Sequence, residues 1–95
     1  MAVVVNGKSY TKLNLGCGDS PLTKFPEPWL NADIEPGVAD YVCDIRNIPD
    51  EWVECFDEVR ASHVLEHIFL NDWQPTLARW VRALSFGGTL RIIVP

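Results

Sequence analysis

Residues 12–18 read KLNLGCG, and this stretch decides the fold. A short apolar run ends in two glycines separated by one residue, which is typical of a buried strand that stops in a tight turn. Glycine adopts positive φ without strain, and it lets a ligand approach the backbone where a Cβ would obstruct it. This stretch fits both a purely structural turn and a ligand-binding turn. The surrounding residues are needed to decide between these two interpretations.

Short apolar runs alternate with turn residues along the rest of the chain, which is the pattern of an α/β protein. We expect core strands at 12–15, 29–34, 40–43, 56–61 and 90–94, preceded by a hairpin of 3–5 and 8–10 around a type I′ turn at Asn6-Gly7. The last strand follows Gly87-Gly88, and its apolar composition suits a buried parallel sheet.

One clear helix is predicted between the fourth and fifth core strands. Its apolar stripe recurs at spacings of three and four and consists of Trp73, Leu77, Trp80, Val81 and Leu84. Asn71 with Gln74 resembles a capping box, Pro75 is expected in the first turn, and Gly87 is placed to end the helix. A shorter helix is expected from Val64 to Phe69.

Length and composition bound the class of protein. A chain of 95 residues with 47% hydrophobic content predicts one soluble domain, 1–95, in which 1–11 form the hairpin extension. No apolar run is long enough for a membrane span or signal peptide, which favours a cytoplasmic protein without a membrane partner. Three cysteines without a C-x-x-C pair indicate neither a disulfide framework nor a zinc knuckle. The net charge of −5 argues against a nucleic-acid partner.

A nucleotide is the ligand that the glycine turn and the next strand favour together. Asp33 ends that strand, where its carboxylate can accept hydrogen bonds from both ribose hydroxyls. A dinucleotide fold needs a third small residue, but Pro21 stands there and the prolines that follow leave no room for a helix. A pyrophosphate seat at a helix N-terminus is therefore disfavoured.

Five motifs in order resemble the class I S-adenosylmethionine-dependent methyltransferases: LNLGCG, NADIEP, YVCDI, FDEVRASHVLEH and LSFGGTLRIIVP. The resemblance covers about residues 12–95, and the short loop 19–28 makes it closest to small predicted methyltransferases. It implies a three-layer Rossmann-like sandwich with a mostly parallel sheet of about five strands. In this chain the sheet would lack its terminal antiparallel strands, because the family continues beyond the segment that ends here at Pro95.

The resemblance also implies a set of cofactor-binding residues. Gly16, Cys17 and Gly18 would wrap the methionine part of S-adenosylmethionine. Asp33 would hold the ribose, with Glu35 as the weaker alternative. Asp44 and the backbone of Ile45 would take the adenine edge, and the segment that begins at Ser62 would close the site. A cationic sulfonium is well matched to the acidic middle of the chain.

His63 and His67 are the candidate catalytic residues, as general bases toward an acceptor of unidentified class. The segment from His63 to His67 also reads H-x-x-E-H, a zinc protease signature, but Asp72, the only acidic residue after Glu66, is too close along the chain to serve as an independent third ligand. We therefore assign no metal. A structural role for His67 stays open.

Two functional readings remain. The first is a methyltransferase that transfers a methyl group to an acceptor. The second is a non-catalytic S-adenosylmethionine-binding or structural module. In the family, two further strands flank the last core strand, and this chain would lack both. We therefore expect Leu90 to Val94 to form an open edge and to pair two copies into a homodimer. Swapping of the hairpin between chains is the alternative.

Overall fold

A computed structural model describes residues 2–16, 29–37 and 39–95. Cys17, Gly18 and the loop 19–28 lie outside the described residues. The elements are β1 (Val3–Val5), β2 (Lys8–Tyr10), β3 (Lys12–Leu15), β4 (Leu30–Asp33), β5 (Tyr41–Val42), β6 (Phe56–Ser62), α1 (Leu70–Ala83) and β7 (Leu84–Ile93), with 3₁₀ turns at Ile45–Asn47 and Leu65–His67. The predicted β4 and β5 extend one residue too far at each end, and β6 is one residue longer than expected.

The N-terminal hairpin is confirmed. β1 and β2 pair antiparallel with Val3 opposite Tyr10 and Val5 opposite Lys8. Asn6 and Gly7 have φ of 51° and 80°, and a type I′ turn requires positive φ at both central residues. The hairpin forms a separate two-stranded sheet beside the main one.

A five-stranded sheet in the order β5-β4-β3-β6-β7 is the centre of the fold, and every pair in it is parallel. The predicted mostly parallel sheet of about five strands is therefore confirmed. The KLNLGCG strand, β3, lies in the middle, between β4 and β6. This arrangement brings the carboxyl ends of neighbouring strands to the same edge of the sheet, where a crevice can form.

β7 begins earlier than predicted. The helix was expected to end at Gly87, but it ends at Ala83 and the strand starts directly at Leu84. Between the pairs Phe56↔Leu84 and Glu58↔Thr89 the register shifts, so the glycines lie in a bulge instead of a helix cap. Gly87 has a φ of +81°, which explains why a glycine is needed inside this strand.

The start of α1 also differs from the prediction. The residue before the helix is Phe69, which makes no side-chain cap, and Asn71 lies inside the helix. The predicted capping box is therefore wrong, and Pro75 lies in the second turn instead of the first. The shorter helix predicted for 64–69 is only a 3₁₀ turn at Leu65–His67, because the backbone becomes extended at Ile68.

The buried face of α1 consists of Thr76, Trp80 and Ala83. Trp73 and Leu77 are partly buried beside the same core. Val81, which the apolar stripe assigned to the core, is 54% exposed. The spacing of the buried residues is helical, but the face is rotated toward Thr76, a residue that a hydrophobicity pattern does not select.

The two faces of the sheet differ in chemistry. Leu13, Leu15 and Val59 lie on one face and are fully buried in the core that includes Trp80. The opposite face carries polar residues in matched registers, with Lys12 beside Glu58 and Asn14 beside Arg60. Parallel sheets covered by helices on both faces have nearly continuous apolar strands. The described residues contain a single α-helix, so the small α/β fold is established but a three-layer sandwich is not found among them.

None of the helices in the described ranges is both long enough and apolar enough to cross a membrane.

Candidate functional site

A cavity of about 310 Å³ opens at the carboxyl ends of β3, β4 and β6. Ligand pockets begin at about this volume. Its lining residues come from the ends of these strands and from the two 3₁₀ turns: Gly16, Asp33, Ile34, Asp44, Ile45, Arg46, His63, Val64, His67 and Ile68. Of the residues singled out from the sequence, Gly16, Asp33, Asp44, Ile45, His63 and His67 are thus brought together.

Gly16 makes the turn that the sequence predicts. Its φ is +67°, and its N–H donates to the Ala32 carbonyl at 2.7 Å, which ties the turn to β4. A Cβ on this residue would lie 2.6 Å from Cγ2 of Val64, a distance that real side chains do not reach. The glycine is therefore required both for backbone conformation and for the close approach of the segment after β6.

Asp33 and Glu35 occupy different environments. Asp33 is partly buried, lines the cavity and accepts the backbone N–H of Glu35 on Oδ1 at 2.9 Å. Glu35 is exposed and is not among the lining residues. The local hydrogen bond fixes the direction of the Asp33 carboxylate at the end of β4.

Asp44 is held by Arg46 in three hydrogen bonds. Oδ1 accepts the backbone N–H of Arg46 at 3.0 Å and Nε at 3.1 Å, and Oδ2 accepts Nη2 at 2.7 Å. The side-chain bonds, followed by the backbone bond, hold the pKa of the Asp44 carboxyl below its usual value. The carboxylate is therefore ionised throughout the neutral range.

Cys43 precedes Asp44 in the chain, and its thiol is partly buried. Burial, followed by repulsion between a thiolate and the Asp44 and Asp33 carboxylates, raises the pKa of this thiol to about 11. The thiol stays neutral at neutral pH, so it is not an activated nucleophile.

Helix α1 anchors the segment that carries Asp44. The buried indole of Trp80 donates from Nε1 to the Ile45 carbonyl at 2.9 Å. Arg79 donates to the Ile48 carbonyl at 3.2 Å and pairs with Asp50, and Arg82 donates to the Asp50 carbonyl at 2.9 Å. These bonds join the core to one wall of the cavity.

Two histidines flank one carboxylate on the other wall. Nδ1 of His63 lies 3.7 Å and Nε2 of His67 lies 3.9 Å from Oε2 of Glu66. His63 has a φ of +56°, which is uncommon for a residue with a Cβ, and its N–H donates to the Ile93 carbonyl at 2.7 Å. Both imidazoles are exposed, with side chains 60% and 78% accessible, so either can reach a ligand or solvent. The backbone N–H of His67 donates to the Val64 carbonyl within the 3₁₀ turn.

Three of the sequence-predicted residues are not placed in the cavity. Ser62 ends β6 and pairs with Ile93, but it does not line the cavity. Cys17 and Gly18 lie outside the described residues. Sequence reasoning missed Arg46, Ile34, Val64 and Ile68. Of these only Arg46 carried a chemical signal, as a cation two residues after a predicted ligand-binding aspartate. Among the described residues, no group of three or more histidine, cysteine or acidic side chains could hold a metal ion.

Comparisons with protein-family models, with curated proteins and with solved structures found no match to this chain.

Proposed function

We propose that this chain binds S-adenosylmethionine in the cavity and acts as a methyltransferase domain. The observation that carries the proposal is the placement of Asp33 and Asp44, at the ends of adjacent parallel strands, around one cavity beside the Gly16 turn. Ligands of open α/β sheets bind in this position. The Asp33 and Asp44 carboxylates that line the cavity are also suited to a cationic sulfonium.

The roles of the residues are those that the resemblance implies, and six of them, Gly16, Asp33, Asp44, Ile45, His63 and His67, line the cavity. Asp33 would accept hydrogen bonds from the ribose, and Asp44 with the Ile45 backbone would hold the adenine edge. Gly16, Cys17 and Gly18 would face the methionine part, and the chain after Ser62 would close the site. When bound, the cofactor would supply an electrophilic methyl group on a sulfonium, with a neutral thioether as the leaving group. His63 or His67 would take the proton that an acceptor hydroxyl or amine releases.

Calorimetric titration tests the proposal with S-adenosylmethionine and with its demethylated product, S-adenosylhomocysteine. We expect both to bind with at least micromolar affinity. At one hundred times Kd, either ligand stabilises the chain by roughly 2.7 kcal/mol, which gives a visible rise in Tm. A shift with NAD and none with either of these ligands would contradict the assignment.

The matched control is the pair Asp33→Ala and Glu35→Ala, which removes neighbouring carboxylates of similar charge. Asp33→Ala should weaken binding by about 1.5–3 kcal/mol for each lost bond to ribose, whereas Glu35→Ala should have little effect. If Glu35→Ala weakened binding more than Asp33→Ala, the ribose would not be held by Asp33 on the cavity wall.

The alternative function is a binding module without catalysis. The His63 and His67 imidazoles are exposed beside the cavity, so an acceptor has access to both, which favours the methyltransferase over this alternative. A module without catalysis would bind both cofactor forms but would show no methyl transfer to any acceptor.

We further propose a homodimer through β7. β7 lies at one end of the described sheet. The Ile93 carbonyl accepts a bond from His63, on the β6 side, so by strand alternation the backbone groups of Leu90 and Ile92 face outward. Antiparallel pairing about a two-fold axis at Ile92 sets Arg91 of one copy opposite Ile93 of the other. This register avoids the repulsion of two arginines.

Light scattering after size exclusion should give twice the monomer mass at high micromolar concentration. Ile92→Pro removes an outward N–H without removing a bond to β6, so it should yield a folded monomer. Circular dichroism checks that the variant keeps its secondary structure. A monomeric unaltered chain would refute the dimer, and an unchanged mass for a folded Ile92→Pro variant would refute this interface.

A further inference from the structure

Arg46 lines two cavities. It lines the candidate cofactor cavity with Asp44 and Ile45, and it lines a second cavity with Asp44, with Asp72 and with other residues of α1. Its guanidinium is held from both sides, because Nη1 lies 3.9 Å from Oδ2 of Asp72 while Nε and Nη2 bond to Asp44. Asp72 is in the first turn of α1 and does not line the first cavity.

The three bonds to Asp44 use most of its hydrogen-bonding capacity. An ionised carboxylate accepts at about four positions. Oδ1 receives two N–H groups of Arg46 and Oδ2 receives one, so among the described contacts one position remains on Oδ2. That position can take an N–H donor, but it repels a carbonyl oxygen.

Two of the five side-chain N–H groups of Arg46, one on Nε and one on Nη2, donate to Asp44, and Nη1 lies near Asp72 beside the second cavity. Arginine can hold this geometry because its guanidinium is planar and bidentate, which the single ammonium of lysine is not. The pair therefore holds the Asp44 carboxylate acceptor in a fixed orientation.

We propose that Arg46 is a positioning residue that fixes the Asp44 carboxylate and so makes the cavity select a 6-amino purine over a 6-oxo purine. This inference rests on the proposed function, because it assigns the Asp44 end of the cavity to the base of a nucleoside. The selectivity comes from the orientation of Asp44, and Arg46 itself need not contact the ligand.

The test compares binding of S-adenosylhomocysteine with binding of its deaminated analogue, S-inosylhomocysteine, by calorimetry. The unaltered chain should bind the adenosyl probe about 10- to 100-fold more tightly, as expected for a hydrogen bond to a charged acceptor. Arg46→Met should reduce this ratio to about threefold or less, since Asp44 can then rotate. Arg46→Lys should also lower the ratio, because it keeps the charge but not the bidentate geometry.

Lys8→Met is the matched control. It makes the same change in charge at an exposed position of β2 that does not line the first cavity, so it should keep the ratio of the unaltered chain. Arg46 is exposed as well, with 47% of its side chain accessible, so circular dichroism should show that its variants fold.

Three results would overturn the inference. If Arg46→Met leaves the ratio of the two affinities unchanged, Arg46 does not position Asp44. If Arg46→Lys keeps the full ratio, the charge of Arg46 is enough and its bidentate geometry is not needed. Equal tightening of both probes in Arg46→Met would show that Arg46 merely obstructs the cavity. Failure of the unaltered chain to bind either probe would refute the proposed function itself, a result distinct from the other three.

Discussion

Replacement of Trp80 by alanine is expected to lower the free energy of unfolding by about 3–5 kcal/mol. The side chain is fully buried among the sheet residues, and its indole N–H is bonded to the Ile45 carbonyl. The variant would lose apolar burial, leave a cavity and leave that carbonyl without its partner. Because a small domain has only about 5–15 kcal/mol of stability, the loss would be a large fraction of it. Thermal and urea denaturation measure the change.

Two further variants separate the causes. Trp80→Phe keeps an aromatic ring but removes the hydrogen bond, and it should cost about 1–3 kcal/mol. Phe86→Ala removes an aromatic ring that is fully exposed, so it should change stability by less than about 0.5 kcal/mol. If Trp80→Ala were no more destabilising than Phe86→Ala, α1 would not anchor the core as described.

Gly16→Ala is expected to be nearly as damaging, and it should reduce ligand binding as well. An alanine at φ of +67° costs about 1–2 kcal/mol, and the contact with Val64 Cγ2 adds roughly 1–3 kcal/mol of overpacking. Because Gly16 lines the cavity, the displacement of Val64 would also change the site. Chemical denaturation and titration with S-adenosylhomocysteine measure the two effects.

Gly7→Ala is the matched control for the backbone term. Gly7 has a φ of +80° but open space around it, so this variant should show the conformational cost without the clash. In a double-mutant cycle, Val64→Ala should relieve part of the Gly16→Ala penalty, because the methyl group that collides is gone. Additive effects of the two substitutions would show that Val64 is not the obstruction.

Local patterns in the sequence predicted much of the sheet. The run before Gly16 and the turn at Asn6-Gly7 are decided by a few adjacent residues, and both elements are found where expected. The predicted position of the α1–β7 junction was wrong because a glycine such as Gly87 can either end a helix or lie in a β-bulge. Which one applies depends on the register against β6, which the local sequence does not contain.

The site was predictable where its residues follow strand ends. Asp33 and Asp44 meet at the cavity because parallel strands place their carboxyl ends together. Arg46 was missed because its bidentate pairing depends on the 3₁₀ turn that folds it back onto Asp44. The polar sheet face had a visible signal, the alternation of Lys12 and Asn14 with leucines, which is unusual for a parallel strand.

The pairing of β3 with β6 also governs how quickly the chain can fold. Lys12 and Glu58 are neighbours in the sheet but lie 46 positions apart in the chain. Closing so long a loop costs entropy before the core contacts can compensate for it. A helix of 14 residues is only marginally stable alone, so α1 gains its stability once the sheet gives Trp80 a surface to pack on. Folding is therefore governed by a contact between distant segments, and it is slower than that of a helical bundle of similar length.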